Sequence, residues 1–143
     1  MRCIADVNVL LPIVVGWHSH HAAAWAWWNT CRDASVILCW PVRLGVLRLL
    51  TSRVVMNERP LPPSQALRVW KELADDPRSL WLDSVPTEHE AHFVRLSSGR
   101  QASPNFWTDA WLAALGLALD AEMATFDNDF KGYPGLRLRL LSR

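Results

Sequence analysis

The sequence predicts an α/β fold with a mainly parallel central sheet, and two observations support this prediction. Short apolar, β-branched runs alternate along the chain with longer segments whose apolar residues recur at helical spacing. Three aspartates, Asp6, Asp109 and Asp127, follow predicted strands or open a predicted helix. Ligands of open α/β sheets bind just beyond the carboxyl ends of the strands. We therefore expect a ligand site where these carboxylates meet.

The first part of the chain predicts two strands and three helices. Residues 2–6 form a short apolar run that suits a strand, and residues 8–15 are apolar and compatible with a helix. A second helix is predicted over residues 20–30. Residues 35–40 are rich in β-branched side chains and predict a buried strand. The helix predicted over residues 41–51 begins at a proline, which is favoured in the first helical turn.

The middle of the chain predicts one helix, one strand and a second helix start. After a proline-rich connection, Ser64 is a suitable N-cap for a helix that ends near Leu73. Residues 80–83 suit a short strand. Thr87 and Glu90 are three residues apart, as in a capping box, so a further helix is expected to begin there.

The last part of the chain contains the most regular helical pattern. A helix is predicted over residues 106–120, because five apolar residues share one helical face. These residues are Trp107, Trp111, Ala114, Leu115 and Ala118. Residues 122–126 and 136–141 predict the last two strands.

Composition predicts a single domain that spans residues 1–143, with half of the residues hydrophobic and a fifth charged. No apolar stretch is long enough to cross a membrane, and no secretory leader is expected at the start of the sequence. Three cysteines, Cys3, Cys31 and Cys39, lack metal-type spacing. They indicate free or buried thiols of a cytoplasmic protein rather than a disulfide framework.

Charge and aromatic content suggest partners without identifying them. The net charge is +1, but thirteen of the fifteen basic residues are arginine, whose planar fork suits phosphate or carboxylate. Nine tryptophans are many for a chain of this length. The segments around Trp17, Trp25, Trp27 and Trp28 exceed what one core requires, so we expect some of them at an interface, in a homodimer or with another protein.

The three aspartates predict a metal site. Carboxylates that converge without matching cations repel one another and raise the pKa of at least one. Mg²⁺ relieves such repulsion, and it binds through a few carboxylates and retained waters. Simpler explanations also exist for these aspartates. Asp109 could be an acid that interacts favourably with the helix dipole in the first turn, and Asp127 and Asp129 could be turn formers. Asp6 is harder to explain in this way, because a charge at the end of an apolar strand is costly.

Other catalytic motifs are absent. The sequence contains no nucleophile elbow, no phosphate-binding P-loop and no dinucleotide-binding fingerprint. His18, His20 and His21 lack a Cys or Glu at ligand spacing, so a solvated helix start is expected there instead of a metal site.

Several segments together resemble a known family. They are residues 6–10 (DVNVL), 105–114 (NFWTDAWLAA), 125–130 (TFDNDF) and 133–136 (YPGL), with a weaker likeness over residues 41–50. Their order and spacing are similar to the PIN domain, and more narrowly to VapC-type toxins of bacterial toxin–antitoxin pairs. The resemblance covers nearly the whole chain.

The resemblance implies a three-layer α/β/α sandwich with a parallel sheet and an acidic pocket that binds Mg²⁺ or Mn²⁺. It implies cleavage of RNA, with a cognate antitoxin as protein partner. Asp6, Asp109 and Asp127 match the metal-pocket aspartates of the family, and Asp129 matches a further acid found in many members. Asn8 and Thr108 would be polar supports beside the carboxylates.

One position departs from the family pattern. Many PIN nucleases carry a glutamate on the helix after the second strand, and Arg43 takes the matching position in this sequence. The change reduces the negative charge of the pocket by two units and argues against a second tightly held ion. An arginine at the pocket rim could instead contact an RNA phosphate.

Two competing interpretations involve other aspartate chemistry. A haloacid-dehalogenase-type phosphatase needs a second aspartate where Asn8 lies, and a response-regulator receiver needs a late lysine that Lys131 does not supply. An interpretation of a different class is a catalytically weak PIN domain that serves as an RNA-binding or partner-binding scaffold. Arg43 is the main support for that alternative.

Overall fold

The computed structural model describes residues 1–143 and contains a five-stranded parallel sheet with the strand order β3-β2-β1-β4-β5. The strands are β1 (Cys3–Ala5), β2 (Val36–Leu38), β3 (Ser79–Trp81), β4 (Glu122–Thr125) and β5 (Leu138–Leu140). The central strand β1 therefore pairs with β4, which comes more than a hundred residues later. This pairing brings the two ends of the chain together at the middle of the sheet.

Six α-helices flank the sheet and complete a three-layer α/β/α sandwich, which confirms the predicted fold class. They are α1 (Val7–Val14), α2 (His21–Trp28), α3 (Trp40–Leu50), α4 (Pro63–Asp75), α5 (His89–Ser97) and α6 (Phe106–Leu119). A short 3₁₀ helix, Asn128–Gly132, follows β4. Helix α1 packs on α2 and on α3, α3 packs on α4, and α5 packs on α6, while both α1 and α6 contact β1 and β4.

The core lies around the central strands. All residues of β1 and β2 are buried, and Ile4, Ile37 and Met123 are essentially inaccessible to solvent. From α6, Leu112 and Leu115 are fully buried as well. Strands buried on both faces read as continuous apolar runs, which is why they could be recognised in the sequence.

Each predicted strand exists, but the observed strands are shorter than predicted by one to three residues. Two predicted helix starts are wrong. Helix α4 begins at Pro63 with Pro62 as its N-cap, so Ser64 lies inside the helix. The predicted capping box at Thr87 does not form, since α5 begins at His89 and its N-cap, Glu88, makes no side-chain capping bond.

The predicted apolar face of α6 is also partly wrong. Trp107 is 62% exposed, whereas Ala110, Leu112 and Ala113 are fully buried. The helix is almost entirely apolar beyond its first turn, so periodicity did not identify the face that meets the sheet. The side chain of Trp107 packs on Phe106 of the same helix and on Phe93 of α5.

The tryptophan-rich segments divide between core and surface. Trp27 and Trp28 are buried in α2, whereas Trp17 and Trp25 are 56% and 45% exposed. The three cysteines are free thiols, as predicted. No helix is long and apolar enough to span a membrane.

Helices α1 and α3 approach closely at one glycine. A Cβ built on Gly45 of α3 would lie 2.6 Å from Cγ2 of Val7, the first residue of α1. Val7 directly follows Asp6, so this contact sets the distance between α3 and the end of β1. The β-branched side chain of Val7 has little rotameric freedom to move away.

We expect Gly45→Ala to lower the melting temperature, although alanine is favoured over glycine in a helix by about 1 kcal/mol. The overlap with Val7 should outweigh that gain. The double variant Gly45→Ala/Val7→Ala should be more stable than the sum of the single changes, as measured by thermal denaturation. Strict additivity of the two single effects would contradict the proposed contact.

Candidate active site

Asp6 lies where β1 ends and α1 begins. Its extended backbone makes it the N-cap of α1, and its Oδ1 accepts a hydrogen bond of 2.7 Å from the backbone N–H of Val7. The backbone N–H of Asp6 in turn donates to the carbonyl of Ala124 in β4. Asp6 is only 8% exposed, so sheet pairing and helix capping together fix a nearly buried carboxylate.

Thr125, at the end of β4, organises the polar contacts around Asp6. The Thr125 hydroxyl donates to Oδ2 of Asp6 at 2.9 Å and accepts from the backbone N–H of Asp127 at 3.0 Å. Asn8 Nδ2 donates to the same hydroxyl at 3.2 Å, and the backbone N–H of Phe126 donates to Asn8 Oδ1. Thr125 is fully buried and was not identified from the sequence. Its role depends on the pairing of β4 with β1, which no local sequence pattern encodes.

The structure places three of the predicted site aspartates in one pocket. Asp6, Asp109 and Asp127 line a cavity of about 680 Å³, and Asn8 and Thr108 line it too. Asp109 lies in the first turn of α6, and Asp127 directly follows Phe126 after β4. The carboxylates thus come from three separate elements that meet at the carboxyl end of the sheet.

Electrostatic repulsion in this pocket is visible in the pKa of Asp109. Burial, and to a smaller extent the charges of Asp6, Asp127 and Asp129, together raise that pKa from 3.8 to about 7, whereas Arg100 lowers it. Burial also raises the pKa of Asp6, against the hydrogen bonds from Thr125 and Val7. The folded chain therefore holds negative charge in the pocket without an ion pair to neutralise it.

Asp129 occupies a different position from the other acids. It lies in the first turn of the 3₁₀ helix, it is exposed, and it does not line the pocket. Its backbone N–H donates to Oδ1 of Asp127 at 2.8 Å, which holds the Asp127 carboxylate over the turn. Asp129 therefore influences the pocket through its charge and through the backbone of its own turn.

The pocket-rim position expected for Arg43 is wrong. The Arg43 guanidinium lies 4.5 Å from the ring centroid of Trp40, 5.8 Å from that of Trp81 and 6.0 Å from that of Trp70. Its Nε is buried without a hydrogen-bond partner, and the residue does not line the pocket. A helix turns by about 100° per residue, so a residue two positions from Pro41 and Gly45 points to the opposite side.

The pocket-facing side of α3 carries Trp40, Pro41, Leu44, Gly45, Arg48 and Leu49. None of these residues is acidic, so α3 contributes no carboxylate to the pocket. The cation on this side is Arg48, which was not identified from the sequence. Its side chain is exposed and forms no ion pair.

The histidines of the α1–α2 connection form no ligand group. The ring of His20 stacks on that of Phe126 with centroids 4.2 Å apart, and Nδ1 of His21 lies 2.7 Å from the carbonyl oxygen of Pro12. Both rings are partly buried, so the expected solvated helix start is wrong for these two residues. His20 packs against the turn that leads to Asp127.

The donor set of the pocket fits a hydrated divalent cation. No three His, Cys, Asp or Glu side chains are already grouped closely enough to enclose an ion. Mg²⁺ does not require such a cage, because it commonly binds through one or two carboxylates and retains several waters. Asp6, Asp109 and Asp127 offer hard oxygen donors, and burial together with the neighbouring carboxylates raises the pKa of Asp109.

Comparison with known proteins identifies the family. The sequence model of the PIN domain matches residues 3–136. The chain belongs to the PIN domain family. The ribonuclease VapC41 of Mycobacterium tuberculosis is 33% identical over 98% of this chain and 99% of its own length. The ribonuclease VapC33 of the same organism is 32% identical over 94% of both chains. The predicted resemblance to VapC-type PIN domains is therefore confirmed.

Solved structures of PIN proteins share the fold at low sequence identity. VapBC2 of Rickettsia felis, bound to a promoter DNA fragment, superposes with a TM-score of 0.68 at 14% identity, over 99% of this chain and all of that chain. VapC20 of Mycobacterium tuberculosis, a sarcin-ricin loop cleaving toxin, superposes with a TM-score of 0.64 at 16% identity. The match covers 92% of this chain and 95% of that chain.

We expect Asp109→Asn to stabilise the protein at neutral pH when divalent cations are removed by a chelator. Folded Asp109 keeps its proton to about pH 7, whereas an unperturbed aspartate loses it near 3.8. Folding therefore binds a proton between these values, and the free energy of unfolding falls as pH rises through this window. Asparagine avoids this loss, so the melting temperature at pH 8 should rise by about 3 °C.

The gain from Asp109→Asn should shrink as the pH is lowered toward 4, because the parent carboxyl is then neutral in both states. Asp83→Asn is the matched control, since Asp83 is exposed and lies outside the pocket. An equal gain from both substitutions, or a gain that does not vary with pH, would show that Asp109 is not destabilised by its surroundings.

Proposed function

We propose that this PIN-domain protein is a Mg²⁺- or Mn²⁺-dependent endoribonuclease, the toxin of a type II toxin–antitoxin pair. The single observation that carries the proposal is the convergence of Asp6, Asp109 and Asp127 in one pocket, where none of the three forms an ion pair. Relatives named as VapC ribonucleases, at about a third identity over nearly full length, support the same function.

In this proposal the residues of the chain position the reactants. Asp6 and Asp127 are held in place by backbone N–H groups and by the Thr125 hydroxyl, which limits the reorganisation needed when charge develops. Asp109 approaches from α6 on another wall of the pocket. A bound Mg²⁺ or Mn²⁺ would supply an activated water and stabilise negative charge on the phosphodiester.

The composition of the pocket favours an RNA backbone as substrate. Carboxylates lie on one side, and the exposed guanidinium of Arg48 lies on the other. An unpaired arginine can contact a phosphate oxygen through two N–H groups. With about 680 Å³ of space, the pocket can admit a nucleotide but not a duplex, so single-stranded or loop RNA is the expected substrate class.

A second candidate function is an RNA-binding or partner-binding scaffold with weak catalysis. The observation that favours it is the absence of an acid on the pocket side of α3, where Gly45 and Arg48 lie. Fewer carboxylates would hold a cation less tightly. The two candidates differ in one measurable property, which is RNA cleavage that depends on Mg²⁺ or Mn²⁺.

We expect Asp6→Asn to reduce RNA cleavage by at least about 100-fold, since even outer-sphere partners of a metal site contribute 10- to 100-fold. Asparagine can still accept the hydrogen bond from the Val7 N–H, so α1 should keep its cap. Cleavage of a mixed RNA pool is measured with Mn²⁺, with Mg²⁺ and with chelator. Growth of the expressing cells gives a parallel measure of toxicity.

Asp33→Asn is the matched control for this experiment, because Asp33 is exposed and lies outside the pocket. Its cleavage rate should equal that of the parent. A parent protein that binds RNA but cleaves none of it with either cation would favour the scaffold. Cleavage by Asp6→Asn at the parental rate would remove Asp6 from the site.

We also propose that the protein forms a homodimer and binds a cognate antitoxin. The exposed side chains of Trp17 and Trp25 leave apolar surface outside the pocket that a monomer does not require. Structural neighbours crystallised as VapBC assemblies support an antitoxin partner.

Light scattering after size-exclusion chromatography should give twice the monomer mass of 16.3 kDa. Co-expression with the protein encoded by the adjacent gene should yield a stable complex that suppresses RNA cleavage. A monomer that also fails to bind the co-encoded protein would contradict both parts of this proposal.

A further inference from the structure

Trp40 is an exposed aromatic side chain at the mouth of the acidic pocket. It is the first residue of α3, and it follows β2 after a single residue, the N-cap Cys39. The indole is 54% exposed, and it lines the same cavity as Asp6, Asp109 and Asp127. Burying so large an apolar ring would normally be favourable, so its exposure beside a polar pocket requires an explanation.

The Trp40 ring packs against the side chains of Arg43 and Trp81. The Arg43 guanidinium lies over it at 4.5 Å, and the Trp81 ring meets it edge-on, with centroids 5.6 Å apart and planes at 83°. Arg43 is itself packed between Trp70 and Trp81, and its buried Nε has no hydrogen-bond partner. With one face covered by Arg43, the ring is oriented before any ligand arrives, and the residue still lines the pocket.

The neighbours of Trp40 suit a nucleotide. Arg48 lies eight residues further along α3, about 12 Å away at 1.5 Å per residue, and faces the same pocket with an unpaired charge. Seven of the fourteen residues that line the pocket are polar or charged. A flat aromatic ring with a guanidinium nearby is the combination that binds single-stranded nucleic acid, because bases stack on the ring and phosphates bind the cation.

We propose that Trp40 is a stacking platform for one unpaired base of the RNA substrate, next to the phosphate that is cleaved. This inference rests on the proposed ribonuclease function and adds a determinant of substrate choice to it. A base within a duplex already stacks on its neighbours and cannot reach the ring, so the platform selects single-stranded or extruded nucleotides. Arg43 is a positioning residue in this arrangement, since it acts on the base only through Trp40.

The test uses the Asp6→Asn protein, which should bind RNA without cleaving it. The probe is a short single-stranded RNA that carries one 2-aminopurine, whose fluorescence is quenched when it stacks. We expect quenching on binding, and we expect Trp40→Leu in this background to abolish the quenching and to weaken binding about 10-fold. Trp40→Phe, which keeps an aromatic face, should retain part of both effects.

Trp107→Leu is the matched control, because Trp107 is 62% exposed and lies outside the pocket. It should leave quenching and affinity unchanged, and thermal melts should show that each variant is folded. The same RNA annealed to its complement should bind equally to the Trp40→Leu protein and its parent. Equal quenching by Trp40→Leu and Trp107→Leu would overturn the proposal.

Further outcomes separate this inference from the proposed function. If the Asp6-containing parent cleaves RNA and Trp40→Leu cleaves equally well, the stacking platform is wrong and the ribonuclease function stands. If the parent cleaves no RNA and the quenching still depends on Trp40, the stacking platform stands and the ribonuclease function is wrong. If Trp40→Leu keeps full RNA binding but loses the co-encoded antitoxin, Trp40 is a protein contact and the stacking platform is wrong.

Discussion

The mutual repulsion of three carboxylates is the constraint on which the rest of the site depends. Asp6, Asp109 and Asp127 come from β1, α6 and the turn after β4, and the sheet order brings these elements together. Each carboxylate costs folding free energy unless it is hydrogen-bonded or neutralised. The Asp6 carboxylate accepts hydrogen bonds from a backbone N–H and from the Thr125 hydroxyl, and the Asp127 carboxylate accepts one from a backbone N–H. The pKa of Asp109, by contrast, is raised to about 7. The pocket carboxylates therefore lower the stability of the fold at this place, which is consistent with the cation site proposed above.

One side of helix α3 lines the pocket, and the opposite side packs into an aromatic cluster. The side that carries Gly45 and Arg48 closes the pocket, and the glycine permits close packing on Val7. The side that carries Arg43 packs into an aromatic cluster with Trp70 and Trp81. Trp40 belongs to both environments, because its ring touches Arg43 and also lines the pocket. The same helix therefore links the core packing of α4 and β3 to the orientation of a pocket residue.

The fold could be predicted from the sequence because its strands are buried on both faces and its helices are amphipathic or apolar. The three pocket aspartates could be found because a charge at the end of an apolar run is conspicuous. Thr125 could not be recognised, since its importance comes from strand pairing with β1, which no local pattern encodes. Arg43 was misplaced because a difference of two residues along α3 reverses the direction of the side chain, and sequence does not fix helix rotation.

The pairing of β1 with β4 determines when, during synthesis, the pocket can form. Asp6 is made well before Thr125 and Asp127, which complete its surroundings. The contact between residues 6 and 125 spans 119 positions, so it forms late relative to local helices. A nascent chain on the ribosome cannot close the pocket until β4 has emerged and docked beside β1. A chain that lacks β4 also lacks Thr125 and Asp127 and could not assemble the pocket around Asp6.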